Sequence, residues 1–188
     1  MATKWLIGTA LVLVLIGGCP ATTDLEGARD LSWRNGRRAQ ASIQAVGEAV
    51  ADEFGESAKE APGGPLSRGY VGTALDDAAR SLVIVVDPAM VDVERLASKL
   101  TAASGPGGVA VRVEATKVSI ADLLAAEEVL RARDWHPNAS TVGMSFGLDP
   151  AACRYEVTLS RTHEDVALAL KDRLGELVDI RWGTPQRR

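Results

Sequence analysis

The stretch LDDAARSLVIVV, from Leu75 to Val86, has a counterpart in LDPAACRYEVTL, from Leu148 to Leu159. The leading Leu-Asp pair and the two alanines coincide in register. Each copy follows a run of alternating apolar residues and leads into an apolar or alternating run. Alternation interrupted by Asp, Pro and Ala residues is typical of a β-hairpin. The two stretches therefore predict two equivalent hairpins.

A helix and a closing strand are predicted after each hairpin. After the first hairpin, apolar residues recur at helical spacing and valines then alternate: Val93, Leu96 and Leu100, followed by Val109, Val111 and Val113. The second hairpin is followed by the same order: Val166, Leu170 and Leu174, then Val178, Ile180 and Trp182. Asp92 or Asp87-Pro88 is expected to start the first helix. Thr162 and Asp165 predict a capping box for the second helix.

The fold class predicted by this pattern is α+β, with two repeated ββαβ lobes joined by a helix and preceded by an N-terminal helix. The first lobe is expected within residues 68–117 and the second within 140–184. A linking helix with Ser119 as its cap is predicted for 118–134. An amphipathic helix is predicted for 37–60, before the breaker Ala61-Pro-Gly-Gly-Pro65. The pattern leaves open whether the two sheets are separate or joined.

The N-terminal segment is predicted to be an export signal. Lys4 is followed by twelve uncharged residues, from Trp5 to Ile16. Such a run is too short to span a bilayer, which needs about twenty residues, but it suits the core of a signal peptide covering residues 1–18. Residues 19–36 are predicted to form a tether. The sequence Ile16-Gly-Gly-Cys19 resembles the lipobox of bacterial lipoproteins.

The lipobox resemblance implies cleavage between Gly18 and Cys19 and attachment of acyl chains, including palmitate, to Cys19. Two or three acyl chains give stable anchoring where one chain gives only weak binding. Two alternatives stay open. Ordinary cleavage after Ala21 would release a soluble secreted protein beginning at Thr22. Retention of the uncleaved segment would leave it as an anchor.

The composition limits which classes of protein, and which kinds of metal or disulfide site, are expected. The 188 residues are 46% hydrophobic and 24% charged, which are values of a globular chain. The formal net charge is −4, so a general nucleic-acid binder is not expected. There are two cysteines, and the only histidines are His136 and His163. This leaves little material for a disulfide or a metal site, and no cofactor is expected.

Several side chains are of types that can act in catalysis or metal binding, but their sequence context favours structural roles. Cys153 follows a hairpin turn beside Arg154, but strand neighbours point to opposite faces, which favours a structural cysteine over a reactive thiol. Asp76, Asp77 and Asp149 lie in the predicted hairpin turns. They lack the ligand spacing of a calcium loop and are interpreted as turn formers.

The remaining candidates are also given structural interpretations. His136 is interpreted as a loop anchor, with a ligand pocket as the alternative. Asp122, Glu127 and Glu128 are predicted to form a solvated acidic helix face. The glycine-rich stretch Ser104 to Gly108 follows a helix and precedes a strand, which is the reverse of a phosphate-binding loop, so a helix stop is predicted there.

The pattern of the body is similar to the pro-regions of secreted bacterial serine proteases of the alpha-lytic protease and streptogrisin type. The similar residues run from Tyr70 to Val86, from Val111 to Leu130 and from Val142 to Leu159, within residues 68–184. This resemblance implies binding of a partner through a sheet edge, with inhibition or assisted folding of a protease. It implies no active-site residue, and the sequence contains no Gly-Asp-Ser-Gly-Gly stretch.

The function predicted from these features is that of a membrane-anchored, exported lipoprotein of the cell envelope. It is expected to be non-catalytic and to bind an envelope or secreted protein. An exported enzyme using acidic or Cys153 chemistry, a soluble pro-region-like inhibitor or folding assistant, and a structural envelope component remain alternatives.

Overall fold

The computed structural model describes residues 32–55 and 64–185. The predicted signal peptide, the cleavage site at Gly18 and Cys19, and most of the tether lie outside these ranges. The described part is an α+β fold with two three-stranded sheets, two β-rich lobes and an N-terminal helix. The predicted fold class is therefore confirmed.

The first lobe has the predicted ββαβ order. Strands β1 (Tyr70–Asp76) and β2 (Ser81–Val86) form an antiparallel hairpin. Helix α3 (Val93–Ser104) then leads to β3 (Ala110–Ala115), which pairs parallel to β2. Asp92 starts this helix, since its carboxylate accepts a hydrogen bond from the Arg95 amide at 3.0 Å.

The second lobe repeats this arrangement in a separate sheet. Strands β4 (Met144–Asp149) and β5 (Arg154–Leu159) are antiparallel, and β6 (Val178–Trp182) pairs parallel to β5. Helix α5 (Glu164–Leu174) forms the crossover between β5 and β6. The sheets are ordered β1-β2-β3 and β4-β5-β6, so β1 and β4 occupy equivalent edges.

The two hairpin turns share a side-chain-to-backbone hydrogen bond and the backbone conformation of the residue that closes the turn. The Asp76 carboxylate accepts from the Ala79 amide at 3.0 Å, and the Asp149 carboxylate accepts from the Ala152 amide at 3.3 Å. The residues that close the turns, Arg80 and Cys153, have positive φ angles of 50° and 51°. The interpretation of these aspartates as turn formers is confirmed, because each carboxylate binds backbone of its own turn.

The helix before the first lobe differs from its prediction in length. The short helix α1 (Ser32–Asn35) precedes α2 (Arg37–Phe54), and a 3-10 turn covers Gly64–Arg68. Helix α2 ends at Phe54, before Gly55, and so is shorter than the predicted helix of residues 37–60; residues 56–63 lie outside the described ranges.

Two predictions concerned how later helices begin. Linking helix α4 (Ile120–Ala132) is capped by Ser119, whose hydroxyl accepts from the Asp122 amide at 3.1 Å, as predicted. The capping box predicted for Thr162 and Asp165 is wrong. A 3-10 turn comes first there, closed by the bond from the His163 amide to the Ser160 carbonyl at 3.0 Å, and α5 begins only at Glu164.

The first sheet is buried on both faces of its central strand. One face, with Leu82, Ile84 and Val86, packs with apolar residues of α2 and α3. The other face, with Val83 and Val85, belongs to the same apolar cluster as the linking helix and the second lobe. All six residues of β2 are buried. The two lobes are therefore packed against each other around the linking helix.

The second sheet is amphipathic. The residues of β5 that share one face, Tyr155, Val157 and Leu159, are buried in the cluster that includes α4 and α5. The opposite face carries ion pairs across the strands, such as the Arg181 to Glu156 pair at 2.9 Å. One buried and one solvated face is usual where an antiparallel hairpin meets water.

Candidate binding groove

A concave surface lies between the lobes. It is an open groove of about 1040 Å³, formed by the Gly64–Arg68 turn, the start of β1, helix α4 and strand β4. We call it the interlobe groove. Its apolar lining consists of Pro65, Leu66, Val71, Leu124, Phe146 and Leu148. A concave, mainly apolar surface with a few polar groups is the usual form of a binding site.

Aromatic rings form part of this surface. Phe146 of β4 and Tyr155 of β5 lie edge to face, with ring centroids 6.1 Å apart and an interplanar angle of 70°. Tyr155 is only 3% exposed. Neighbouring strands bring the two rings together because Phe146 and Tyr155 both lie on the buried face of the second sheet, as their alternation predicted.

A polar cluster of three side chains lies on the α4 side of the groove. The Tyr155 hydroxyl donates to Glu127 Oε2 at 3.3 Å, and Arg131 Nε donates to Glu127 Oε1 at 2.9 Å. Burial, and then the adjacent Glu127 carboxylate, raises the pKa of Tyr155. The phenol therefore stays protonated near neutral pH and acts as a hydrogen-bond donor to the carboxylate.

Glu128 is the second carboxylate of the groove and differs from Glu127. It is exposed, and within residues 32–55 and 64–185 it has neither a hydrogen-bond partner nor an ion-pair partner. Glu127, by contrast, is engaged by both Tyr155 and Arg131. The rim of the groove thus carries one neutralised carboxylate and one free carboxylate.

The edge strand β4 also borders the groove. Gly147 lines the groove and is exposed, but it pairs with Glu156, so the empty space that a Cβ at this position would enter lies on the solvated face of the sheet. The groove therefore combines an apolar trough, a free carboxylate and an accessible strand edge, which is suited to binding a chain segment.

The two residues of the predicted lipidation site, Gly18 and Cys19, lie outside the described residues. Cys153 is 3% exposed and belongs to the core where the lobes meet. Its Sγ lies 3.4 Å from Thr116 Oγ1 and 3.4 Å from the Pro150 carbonyl oxygen. Cys153 is not among the residues that line the interlobe groove. These contacts favour its structural interpretation.

His136 has the role of a loop anchor. Its Nδ1 accepts from the Asn138 amide at 3.2 Å, and its Nε2 lies 3.6 Å from Asp165 Oδ2. The neighbouring Trp135 indole donates to the Val166 carbonyl at 3.3 Å. These contacts fasten the loop before β4 to helix α5, so the interpretation of His136 as an anchor is confirmed.

Asp77 has a partner that the sequence did not indicate. Arg34 Nε donates to Asp77 Oδ1 at 2.7 Å, so the residues just before α2 are fixed to the first hairpin turn. Arg37 and Arg38 are exposed, whereas Arg34 is engaged within the protein.

The predicted solvated acidic face of the linking helix is wrong for Glu127. Its carboxylate is partly buried beneath the Tyr155 hydroxyl, while Asp122 serves the helix cap and Glu128 is exposed. The missed signal was the tyrosine itself. A tyrosine on the buried face of a strand requires a partner for its hydroxyl, and a nearby carboxylate is a suitable acceptor.

No group of three or more His, Cys, Asp or Glu side chains in residues 32–55 and 64–185 is placed to hold a metal ion. Among the helices of the same ranges, none is both long and apolar enough to cross a membrane.

No family model and no curated protein matches this chain.

Proposed function

We propose that this protein is an exported lipoprotein, held on the outer side of the cytoplasmic membrane by acyl chains on Cys19, whose body binds a protein partner without catalysing a reaction. The signal-like segment and the Ile16-Gly-Gly-Cys19 lipobox support the anchor. The two tightly packed lobes and the interlobe groove support the binding role.

The observation on which the binding role rests is the composition of the groove. Its apolar side chains come from four separate elements, and its polar groups are a tyrosine–carboxylate–arginine cluster and a free carboxylate. Glu127 is already neutralised by two donors, as expected of a positioning cluster. A surface of this kind suits recognition of a partner segment.

The anchor is tested by labelling cells with a palmitate analogue. The chain offers a matched control, because its only other cysteine is the buried Cys153. We expect label in the natural protein and in Cys153→Ala, and complete loss of label in Cys19→Ala. Equal labelling of all three, or an unlabelled protein whose N-terminus is Thr22, would exclude the anchor.

The binding role is tested in cells with a photo-crosslinking amino acid placed at Pro65, which is exposed and lines the groove. The same amino acid at exposed Glu176, outside the groove, is the control. We expect a discrete envelope protein to be captured from position 65 only, and capture to be abolished by Leu124→Arg in the groove wall. Identical products at both positions would refute a specific partner site.

A second candidate, a soluble pro-region-like inhibitor or folding assistant, is favoured by the two ββαβ lobes with equivalent edges β1 and β4. The purified protein would then speed the refolding of a secreted serine protease of that type, or inhibit it. The absence of both effects at a molar excess of the protein, with the protease refolding normally beside its own pro-region, would eliminate this candidate.

A further inference from the structure

We infer that the interlobe groove selects an extended protein segment in which an apolar side chain is flanked by a lysine or arginine, and that Glu128 binds the cation. The inference rests on the proposed binding function and specifies the chemistry of its partner. It follows from which groups of the groove are already engaged and which are free.

The apolar part of the segment is required by the lining. Leu66, Leu124, Phe146 and Leu148 present apolar surface to the groove, and Phe146 stands edge-on to the buried Tyr155 ring. An apolar side chain placed there removes both surfaces from water, which is the main favourable contribution in most protein associations. A purely charged segment would leave this lining exposed.

The cationic side chain of the segment is inferred from a difference between the two adjacent carboxylates: Glu127 already has hydrogen-bond partners, and Glu128 has none within the described residues. Glu127 already accepts hydrogen bonds from Tyr155 and Arg131, so it has little attraction left for a ligand. Arg131 is engaged with Glu127 in the same way. Glu128 is exposed, lines the groove and has no partner within the described residues. The unmatched charge at the rim is therefore negative, and its complement is a lysine or arginine.

The same charge disfavours the other occupants of an apolar groove. A second copy of this chain would bring a net charge of −4 to an acidic rim, which is repulsive. A fatty acyl chain would fill the trough but would leave Glu128 without a counter-charge. An extended protein segment can also pair with β4, which is an edge strand of the second sheet and borders the groove.

The test uses the full-length protein in detergent micelles and two fluorescein-labelled octapeptides. In each peptide, apolar residues (phenylalanine and leucine) alternate with charged residues. The charged residues are lysine in one peptide and glutamate in the other. By fluorescence anisotropy we expect the lysine peptide to bind at least tenfold more tightly. We expect Glu128→Lys to weaken it by about tenfold, because an attraction at an exposed site becomes a repulsion of similar size.

Two further measurements make the result specific to the groove. Glu176→Lys introduces the same charge change on an exposed residue outside the groove and should leave the affinity of the lysine peptide unchanged. Glu128→Gln keeps the shape of the side chain and should give an intermediate affinity. Higher salt should weaken the natural protein more than Glu128→Gln, because it screens the charge interaction.

Several outcomes would overturn the inference: equal affinity for the two peptides, no binding of either peptide at millimolar concentration, or an effect of Glu176→Lys equal to that of Glu128→Lys. Displacement of the lysine peptide by palmitate would assign the groove to an acyl chain, and concentration-dependent dimers abolished by Leu124→Arg would assign it to a second copy. If position 65 still captures a partner in cells while Glu128→Lys has no effect, the proposed function stands and only the segment chemistry fails.

Discussion

Ser42 is a buried polar residue at which α2, α3 and the segment before β3 meet. Its hydroxyl, on α2, accepts from the Val109 amide at 3.0 Å and lies 2.7 Å from the Ser104 hydroxyl of α3. Ser104 in turn donates to the Val109 carbonyl at 2.6 Å. The residue is 4% exposed, so water cannot replace these bonds. The two serine hydroxyls therefore satisfy the amide and the carbonyl of Val109, just before β3.

We expect Ser42→Ala to lower the free energy of unfolding by about 1–3 kcal/mol, because it leaves the buried Val109 amide without its acceptor. Urea denaturation followed by tryptophan fluorescence measures the change. Ser140→Ala, at an exposed loop position, is the matched control and should change stability by less than about 0.5 kcal/mol. Equal stability of Ser42→Ala and the natural protein would show that the network is not needed.

Ser42 also shows what a local sequence pattern cannot predict. An amphipathic helix was predicted for this region, and Val46, Val50 and Phe54, which recur at helical spacing, are buried on its apolar face. A serine on the same face carries no pattern of its own. Its role depends on a backbone amide 67 positions away along the chain, and a local sequence pattern contains no information about such a pairing.

At the scale of elements, α2 and α3 are joined by a carboxylate that holds two cations. Glu53 near the end of α2 accepts from Lys99 Nζ at 2.7 Å and also from Arg95, both on α3. Hydrogen bonds from Arg95 and then Lys99 lower the pKa of Glu53. These ion pairs supplement the apolar contacts that the two helices make over the first sheet.

We expect Glu53→Gln to lower the free energy of unfolding at pH 7 by about 0.5–1 kcal/mol, the range of partly exposed ion pairs. Because the pKa is lowered in the folded state, the contribution is complete above the ordinary value of 4.5 and is lost as the pH falls through the folded-state pKa. The difference in Tm between the variant and the natural protein should therefore shrink below about pH 4.5.

Asp52→Asn is the control for this pH series, since Asp52 is the exposed neighbour of Glu53 on α2. Its Tm difference should be small and should not depend on the same charge pairs. A Tm difference for Glu53→Gln that stays constant from pH 7 to pH 3 would contradict the assignment of the stabilising pairs to the ionised carboxylate.

Elements were predicted from the sequence more fully than their ends. Both hairpins, the two crossover helices, the linking helix and the closing strands carry periodic apolar patterns, and all of them form. The start of α5 was predicted wrongly because Ser160, Thr162 and Asp165 are all capable of capping. The choice among them depends on the 3-10 turn that follows β5, which the side-chain types do not specify.

At the scale of the whole molecule, the sequence predicted two lobes but not how they meet. The two sheets remain separate, yet Val83 and Val85 of the first sheet share a core with the second lobe. An uninterrupted apolar run in β2 is consistent with burial on both faces, but it does not identify the covering surface. The interlobe groove escaped prediction for the same reason, because its walls come from elements distant in sequence.

A close approach between the lobes involves Gly72 of β1 and the ring of Pro150 in the second hairpin turn. A Cβ on Gly72 would lie 2.4 Å from Pro150 Cγ and 2.8 Å from Pro150 Cβ, well inside van der Waals contact. A second contact also joins the two lobes: Thr116 Oγ1 of the first lobe lies 3.4 Å from Cys153 Sγ of the second lobe. Glycine at position 72 thus permits the second turn to rest on the first sheet.

We expect Gly72→Ala to lower the free energy of unfolding by about 1–3 kcal/mol, because the added methyl group forces the lobes apart. Gly147→Ala, in the first strand of the other hairpin, adds the same methyl group where no atom lies within 4 Å and should cost almost nothing. Pro150→Gly removes both clashing atoms, so in the double variant Gly72→Ala should cost much less than it does alone. Urea denaturation of the four proteins measures this coupling. Strictly additive effects would show that Gly72 is needed for its own strand and not for the contact between the lobes.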